Sequence, residues 1–182
     1  MNHSVLITPT VSSEDKSRVD AIFNSVQEHM GFIPDGLRLY SISPPLLEAF
    51  MGNVGYFMAH EHLSQTLLAM IRYLVSSKAN CHFCIDFNAA ILMNQGITSE
   101  QLRSARANTD DAPINDAEKV LLKLALSAIS CPEGISADDI QQAKNQGFSE
   151  RDIFDVVAIA SSNNAFTYVL RTFKVEQQGA FA

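Results

Sequence analysis

The sequence predicts an all-α protein, one compact helical domain of about eight helices. Three observations carry that prediction. Apolar residues recur three and four positions apart along most of the 182 residues, strand-type alternation is almost absent, and Ser, Thr, Asn or Pro at the starts with Gly at the stops cuts the chain into helix-length segments.

Taken in order, Ser12 and Ser13 precede the acidic pair Glu14 and Asp15, which suits a helix N-terminus, and Val19, Ile22, Phe23, Val26 and Met30 follow at helical spacing until Gly31 stops the run. A short turn or helix follows Pro34 and Asp35. Ser43 before Pro44 and Pro45 opens the next helix, because proline tolerates the first turn, and Leu46, Leu47, Phe50, Met51, Val54 and Phe57 are expected to face inward. Ser64 begins a segment with Leu67, Leu68, Met70, Ile71, Leu74 and Val75, apolar around so much of its circumference that it should be central. A further helix should start at about Cys81 and stop at Gly96, with Cys84, Phe87, Ala90, Ile91 and Met93 on its apolar side. Thr98 with Gln101 and Asn115 with Glu118 are capping-box patterns for two more, the second running through Val120, Leu121, Leu124 and Ile129. Between them, 107–113 is the best loop. Ser136 and Asp139 open a short helix closed by Gly147, and Ser149 with Glu150 and Asp152 opens a long last one bearing Ile153, Val156, Val157, Ile159, Ala160, Phe166, Val169 and Leu170. No repeat, low-complexity tract or Gly/Ser linker interrupts the chain. The expectation is a single domain over 1–182, with an N-terminal part over about 1–60 and a core over about 61–182.

Composition narrows the function. Thirteen Lys and Arg against 20 Asp and Glu give −7, which disfavours a phosphate-neutralising surface and so a nucleic-acid partner. At 47% hydrophobic and 18% charged the chain lies well above the disordered range, and some of its apolar surface is expected between subunits. Met1 to Thr10 offer no cationic region and only Val5, Leu6 and Ile7 as an apolar run, so no secretory leader is read, and no uninterrupted apolar stretch approaches the roughly eighteen residues of a membrane span. Three cysteines, Cys81, Cys84 and Cys131, make a poor disulfide framework because one is left over. A cytoplasmic protein in a reducing compartment is the expectation, with no membrane partner.

The chemistry is expected at 80–88, Asn-Cys-His-Phe-Cys-Ile-Asp-Phe-Asn. Cysteines at i and i+3 on a helix share one face and can exchange between dithiol and disulfide without refolding. If Cys81 lies at the helix start, the unsatisfied N–H groups and the positive end of the dipole favour its thiolate, the nucleophile toward a peroxide or a disulfide. A zinc site would need about four ligands, and beyond Cys131 and scattered histidines no second pair exists. Two incidental core cysteines would make the spacing a coincidence. Redox use is therefore expected, with no metal and no cofactor: no flavin, nicotinamide or phosphate loop is visible.

These residues resemble the alkyl hydroperoxidase D-like, or carboxymuconolactone decarboxylase, superfamily, and most of all its peroxidase-related branch. The resemblance runs through Gly31-Phe32-Ile33-Pro34, Pro45-Leu46-Leu47, Leu63-Ser64, Val75-Ser76, Cys81-His82-Phe83-Cys84 and Gly96. It implies an all-helical homo-trimer or homo-hexamer, a Cys81/Cys84 pair acting as a peroxide- or disulfide-reducing thiol oxidoreductase, Cys84 as the sulfur that meets peroxide, and a lipoyl or thioredoxin-like protein as electron donor. The superfamily's proton relay has a glutamate twelve residues before the first cysteine and a histidine four after the second; here those positions hold Ala69 and Asn88. Asn88 can hydrogen-bond a thiol or thiolate, but its amide accepts no proton near neutral pH.

Asn88, His82, His60 and Glu61 are the auxiliary candidates. His82 should point about 100° away from the sulfurs and reach the surface. His60, Glu61 and His62 read first as a solvated turn and second as an acid/base group reaching the cysteines, and their spacing is poor for a helical metal site. Asp86 should point away from Cys84, and Cys131 reads as a buried or incidental thiol. Two alternatives stand beside the antioxidant enzyme. One is a redox sensor or oligomeric binding protein without turnover; the other is a decarboxylase- or isomerase-like enzyme acting on a small organic acid.

Overall fold

The computed structural model describes residues 6–175, which hold nine α-helices and two 3-10 turns and no strand. The all-α prediction holds, with one helix more than expected because the segment after Pro34 closes into a short helix. Residues 1–5, part of the stretch read for a leader, lie outside the described residues. The chain falls into two compact units, residues 6–59 with 170–175, and residues 60–169.

The first unit contains α1 (Lys16–Met30), α2 (Asp35–Tyr40) and α3 (Pro44–Met58). Ser12 accepts the Asp15 amide at 3.1 Å just before α1. Gly31 ends it with φ +79°, a left-handed conformation that glycine adopts without a Cβ penalty. Val19, Val26, Leu37 and Leu47 form the core, with Ile22, Phe23, Tyr40, Phe50 and Met51 packed around it. Leu46 is not in this core: it is 61% exposed. The covered residues of α3 include Leu47, Phe50, Met51 and Phe57, and Leu46 lies at the margin of that face, about 100° from Leu47.

The second unit contains α4 (Gln65–Lys78), α5 (His82–Asn94), α6 (Ser99–Ala107), α7 (Asp116–Ser130), α8 (Ala137–Asn145) and most of α9 (Glu150–Thr172). α4 is central as expected. Nine of its residues, Leu67 to Ile71 and Tyr73 to Ser76, are buried, and it packs most extensively on α5 and then on α7. The start signals act as read: Ser64 accepts the Leu67 amide at 3.0 Å, Thr98/Gln101 and Ser136/Asp139 form reciprocal capping boxes, and Asn115 accepts the Glu118 amide at 2.9 Å. Ser149 and Asp152 make the same exchange at the start of α9. The expected loop at 107–113 holds one 3-10 turn, Thr109–Asp111.

By length and composition α9 is the one described helix apolar enough to cross a membrane, although it lacks an uninterrupted apolar run. Asp152, Asp155, Asn163 and Thr167 are nevertheless buried along it beside Val156, Ile159 and Ala160. Asp155 and Asn163 are bonded to His60 and to α4, which marks α9 as a core helix.

Candidate active site: the cysteine pair

The chain leaves α4 through Ala79 and turns at Asn80, whose φ of +53° is one that asparagine tolerates better than most residues. The turn is tied down by the Cys81 amide, which donates to the Ser76 carbonyl at 3.0 Å. Cys81 thereby becomes the N-cap of α5, with extended φ −96° and ψ 97°, and its side chain does not cap the helix. Its sulfur stands where the first-turn N–H groups have no intrahelical acceptor. Cys84 follows one turn later. Neither cysteine is in a disulfide, and their exposures are 2% and 3%.

The Cys84 thiol hydrogen-bonds the Cys81 sulfur. That bond, with burial second, pushes the Cys84 thiol well above its ordinary range, and the hydroxyls of Thr167 and Ser76 beside it offset only part of the rise. Cys84 is therefore held as a thiol that donates to its partner. Asn163 reaches across from α9, donating from Nδ2 to Ser76 Oγ at 3.0 Å and to the Arg72 carbonyl at 3.2 Å. With its oxygen occupied in this way, the Ser76 hydroxyl keeps its proton for the sulfur. The Thr167 hydroxyl is fully buried and has no hydrogen-bond partner of good geometry, so the polarizable sulfur is its nearest compensation.

Asn88 is also buried, but neither end of its amide is turned to a sulfur. Nδ2 donates to the Cys84 carbonyl at 2.8 Å, and Oδ1 accepts from Arg72 Nε at 3.0 Å. The reading of Asn88 as a thiol partner is corrected by these bonds. Ala69 is completely buried, a methyl group in the wall of α4. In place of a glutamate and a histidine, the corresponding region presents a methyl, an amide and a guanidinium.

The whole described architecture is matched by solved structures of low sequence identity. An uncharacterized peroxidase-related protein from Silicibacter sp. TM1040 is 21% identical, with a TM-score of 0.87 over 100% of this chain and 95% of that one. An alkylhydroperoxidase AhpD core protein from Ralstonia eutropha JMP134, also peroxidase-related, is 18% identical, with a TM-score of 0.85 over the same shares. The fold is that of the alkyl hydroperoxidase D-like proteins. The fold extends to other names: the debrominase Bmp8, in complex with 2,3,4-tribromopyrrole, is 21% identical with a TM-score of 0.72 over 93% of this chain and 91% of that one. No family model and no curated protein matches the sequence.

Within this alkyl hydroperoxidase D-like fold, the remaining sequence candidates lie away from the sulfurs. His82 is exposed as expected. Asp86, one turn further on, has its carboxyl raised by burial, with His82 and Arg106 pulling it back down. His60 is neither in a solvated turn nor turned to the cysteines. Its side chain is 5% exposed, and Nε2 meets Asp155 Oδ2 of α9 at 3.1 Å. Nδ1 accepts the amides of His62 and Leu63 at 3.2 and 3.1 Å, which fixes the proton on Nε2. A metal on Nε2 would require that proton on Nδ1, where two N–H groups already point, and no group of metal ligands forms among the described residues. Glu61 is exposed, and so is His62, whose Nδ1 lies 3.5 Å from Asp152 Oδ1. Burial tends to raise the Asp152 carboxyl, but the Ser149 bonds and both histidines hold it below the usual range. Cys131 is exposed, which corrects the buried reading and leaves the incidental one.

Two surface depressions of about 520 and 420 Å³ lie along α6 and α7 and along α7 and α8, and neither includes a cysteine. Arg72, Ser76, Asn163 and Thr167 were not singled out as site residues in the sequence. The available signal was Arg72 itself, a cation inside the most apolar helix.

Proposed function

We propose that the protein is a thiol–disulfide oxidoreductase of the alkyl hydroperoxidase D-like superfamily, in its peroxidase-related branch, reducing peroxides or small disulfides through Cys81 and Cys84. The hydrogen bond from the Cys84 thiol to the Cys81 sulfur at the α5 N-terminus is the observation that supports it. A donor on one side and the helix N–H groups on the other both favour negative charge on Cys81. Cys81 is then the attacking sulfur and Cys84 the resolving one, the reverse of the order the family resemblance implies.

In the first step the Cys81 thiolate attacks one peroxide oxygen and the O–O bond breaks. Cys81 becomes a sulfenic acid, and the departing alkoxide takes a proton from solvent and leaves as the alcohol. In the second, the Cys84 sulfur attacks Cys81, the S–S bond forms, and the hydroxyl departs as water with the Cys84 proton. The pair has given up two electrons, which a dithiol donor of the lipoyl or thioredoxin-like class returns while itself becoming a disulfide. Burial of both sulfurs favours a small oxidant. A cytoplasmic setting and a homo-trimer or homo-hexamer belong to the same reading.

Free thiols counted before and after one equivalent of peroxide test it. The wild type should lose two thiols per chain, and Cys81→Ser should not; loss of fewer than two in the wild type refutes the pair. A second reading, a redox sensor without turnover, is favoured by Asn88 and Ala69, which leave no proton carrier at the relay positions. Steady-state peroxide consumption with a dihydrolipoyl donor separates the two, since a sensor stops after about one equivalent.

A further inference from the structure

Arg72 lies in α4, one turn after Ala69, and its guanidinium is held by the bond from Nε to Asn88 Oδ1. Asn88 in turn sits four residues beyond Cys84 on α5 and is fastened to the Cys84 carbonyl. That arrangement fixes a positive charge about one helix turn from the second sulfur. The guanidinium is partly buried, yet no carboxylate lies within 4 Å of it among the described residues. Arg18, by contrast, has two, and Arg38 and Arg151 have one each. Among the described residues no hydrogen bond to either Nη of Arg72 forms. Burial alone pulls its pKa down to about 10, with no anion to offset the cost.

An immobilised guanidinium whose two NH2 groups are unbonded, beside a reactive centre and lacking a counter-ion of its own, is a receptor for one negative charge. We infer that Arg72 receives the anionic group of the molecules that reach the cysteine pair, and that the favoured reactants are small monoanions, carboxylates first. One cation balances one anion, and the fork of N–H donors matches a carboxylate in plane. The inference rests on the proposed function only in taking the pair as the reactive centre.

The test uses two alkylating reagents that differ in charge, iodoacetate and iodoacetamide, on the reduced full-length chain carrying Cys131→Ser. The ratio of their rates, read by mass on the peptide bearing both cysteines, cancels changes in thiol reactivity common to both. With one charge-assisted contact at stake, the iodoacetate-to-iodoacetamide ratio should fall roughly tenfold in Arg72→Gln and less in Arg72→Lys. A second measurement needs no variant at position 72: acetate should slow iodoacetamide alkylation of the pair where acetamide at equal ionic strength does not. An unchanged ratio in a folded Arg72→Gln, or no protection by acetate, overturns the inference and leaves Arg72 as a support for Asn88. Neither measurement requires peroxide, a donor or turnover. A chain that prefers the anion yet fails to lose two thiols to peroxide would refute the oxidoreductase reading and uphold this one.

Discussion

Replacing Cys84 by Ala and by Ser separates what its donor does for Cys81 from what its volume does. Cys81 is 2% exposed, so solvent does not readily replace a lost donor, and the Cys84 thiol is a side-chain donor to it. Hydrogen bonds to charged groups contribute about 1.5–3 kcal/mol, and a thiol, being a weak donor, belongs at or below the low end. At about 1.4 kcal/mol per pH unit, the midpoint for Cys81 alkylation by iodoacetamide should lie roughly one unit higher in Cys84→Ala than in Cys84→Ser, whose hydroxyl still donates. Raising the midpoint removes thiolate at any pH below it, so the Ala variant should react roughly tenfold more slowly there. Above both midpoints the rates converge, and the Ala variant gains a little because a more basic thiolate is intrinsically more nucleophilic. The pH–rate profiles would be measured with Cys131→Ser as background, by stopped-flow or quenched alkylation. Coincident midpoints, or a higher one for Ser, would refute the assignment of Cys84 as donor and Cys81 as thiolate. The same reasoning run backwards gives a companion result: in Cys81→Ala, Cys84 loses the largest cause of its raised pKa and should titrate lower than it does in the intact pair.

Asn163→Leu removes the bonds to Ser76 Oγ and to the Arg72 carbonyl and should cost about 1–3 kcal/mol, seen as a lower urea midpoint with an unchanged slope. Asn88→Leu leaves the Arg72 Nε without its acceptor; adding Arg72→Met should restore part of the lost stability, and a double-mutant cycle with no coupling would contradict the bond. Under native conditions a bulky thiol reagent should titrate one cysteine per chain rapidly, the exposed Cys131, with the buried pair following more slowly. Because the folded Asp152 carboxyl is held below its usual range, its contribution is fully present above the ordinary carboxylate pKa and is lost as pH falls through the folded value. The stability gap between wild type and Asp152→Asn, followed by thermal melts, should therefore narrow on acidification.

The helices were readable because their signals are local. Ser64, Thr98, Asn115, Ser136 and Ser149 each cap the segment they precede, and the apolar continuity of α4 announced its central place. Leu46 was misread because periodicity admits both members of an adjacent pair while packing covers one. The cysteines were legible for the same local reason as the caps, since a three-residue spacing at a helix start says where two sulfurs go. His60 was not. Its partners are Asp155, ninety-five residues away, and two amides of its own turn, and no pattern within a helix reports such a pairing. Asn163 and Thr167 meet α4 and Cys84 only through the packing of α9 on the rest of the second unit.

Ala69 and Asn88, seen as sequence, are two losses: no base, no relay. Their surroundings change what the loss means. A proton relay works by letting charge come and go, and its histidine must be free to gain and surrender a proton during each turnover. Here both ends of the Asn88 amide are bonded, and the nearest ionisable group is a guanidinium that stays protonated through the physiological range even when burial draws it down to about 10. A permanent charge cannot shuttle a proton, but it can stabilise an anion, whether that anion forms during the reaction or arrives with the reactant. The pair would then rely on the helix terminus and on the Cys84 thiol for its thiolate, and on solvent for the departing group's proton. Alkoxides that leave readily without prior protonation should be favoured over poor leaving groups, so the rate should depend more steeply on the acidity of the product alcohol than in an enzyme with an intact relay. A series of hydroperoxides of graded leaving-group pKa, compared in wild type and in the Ala69→Glu/Asn88→His double variant, should give the shallower slope in the variant, provided that the variant folds with a carboxylate at the fully buried position 69. Equal slopes in the two proteins would mean that proton transfer never limited this chain.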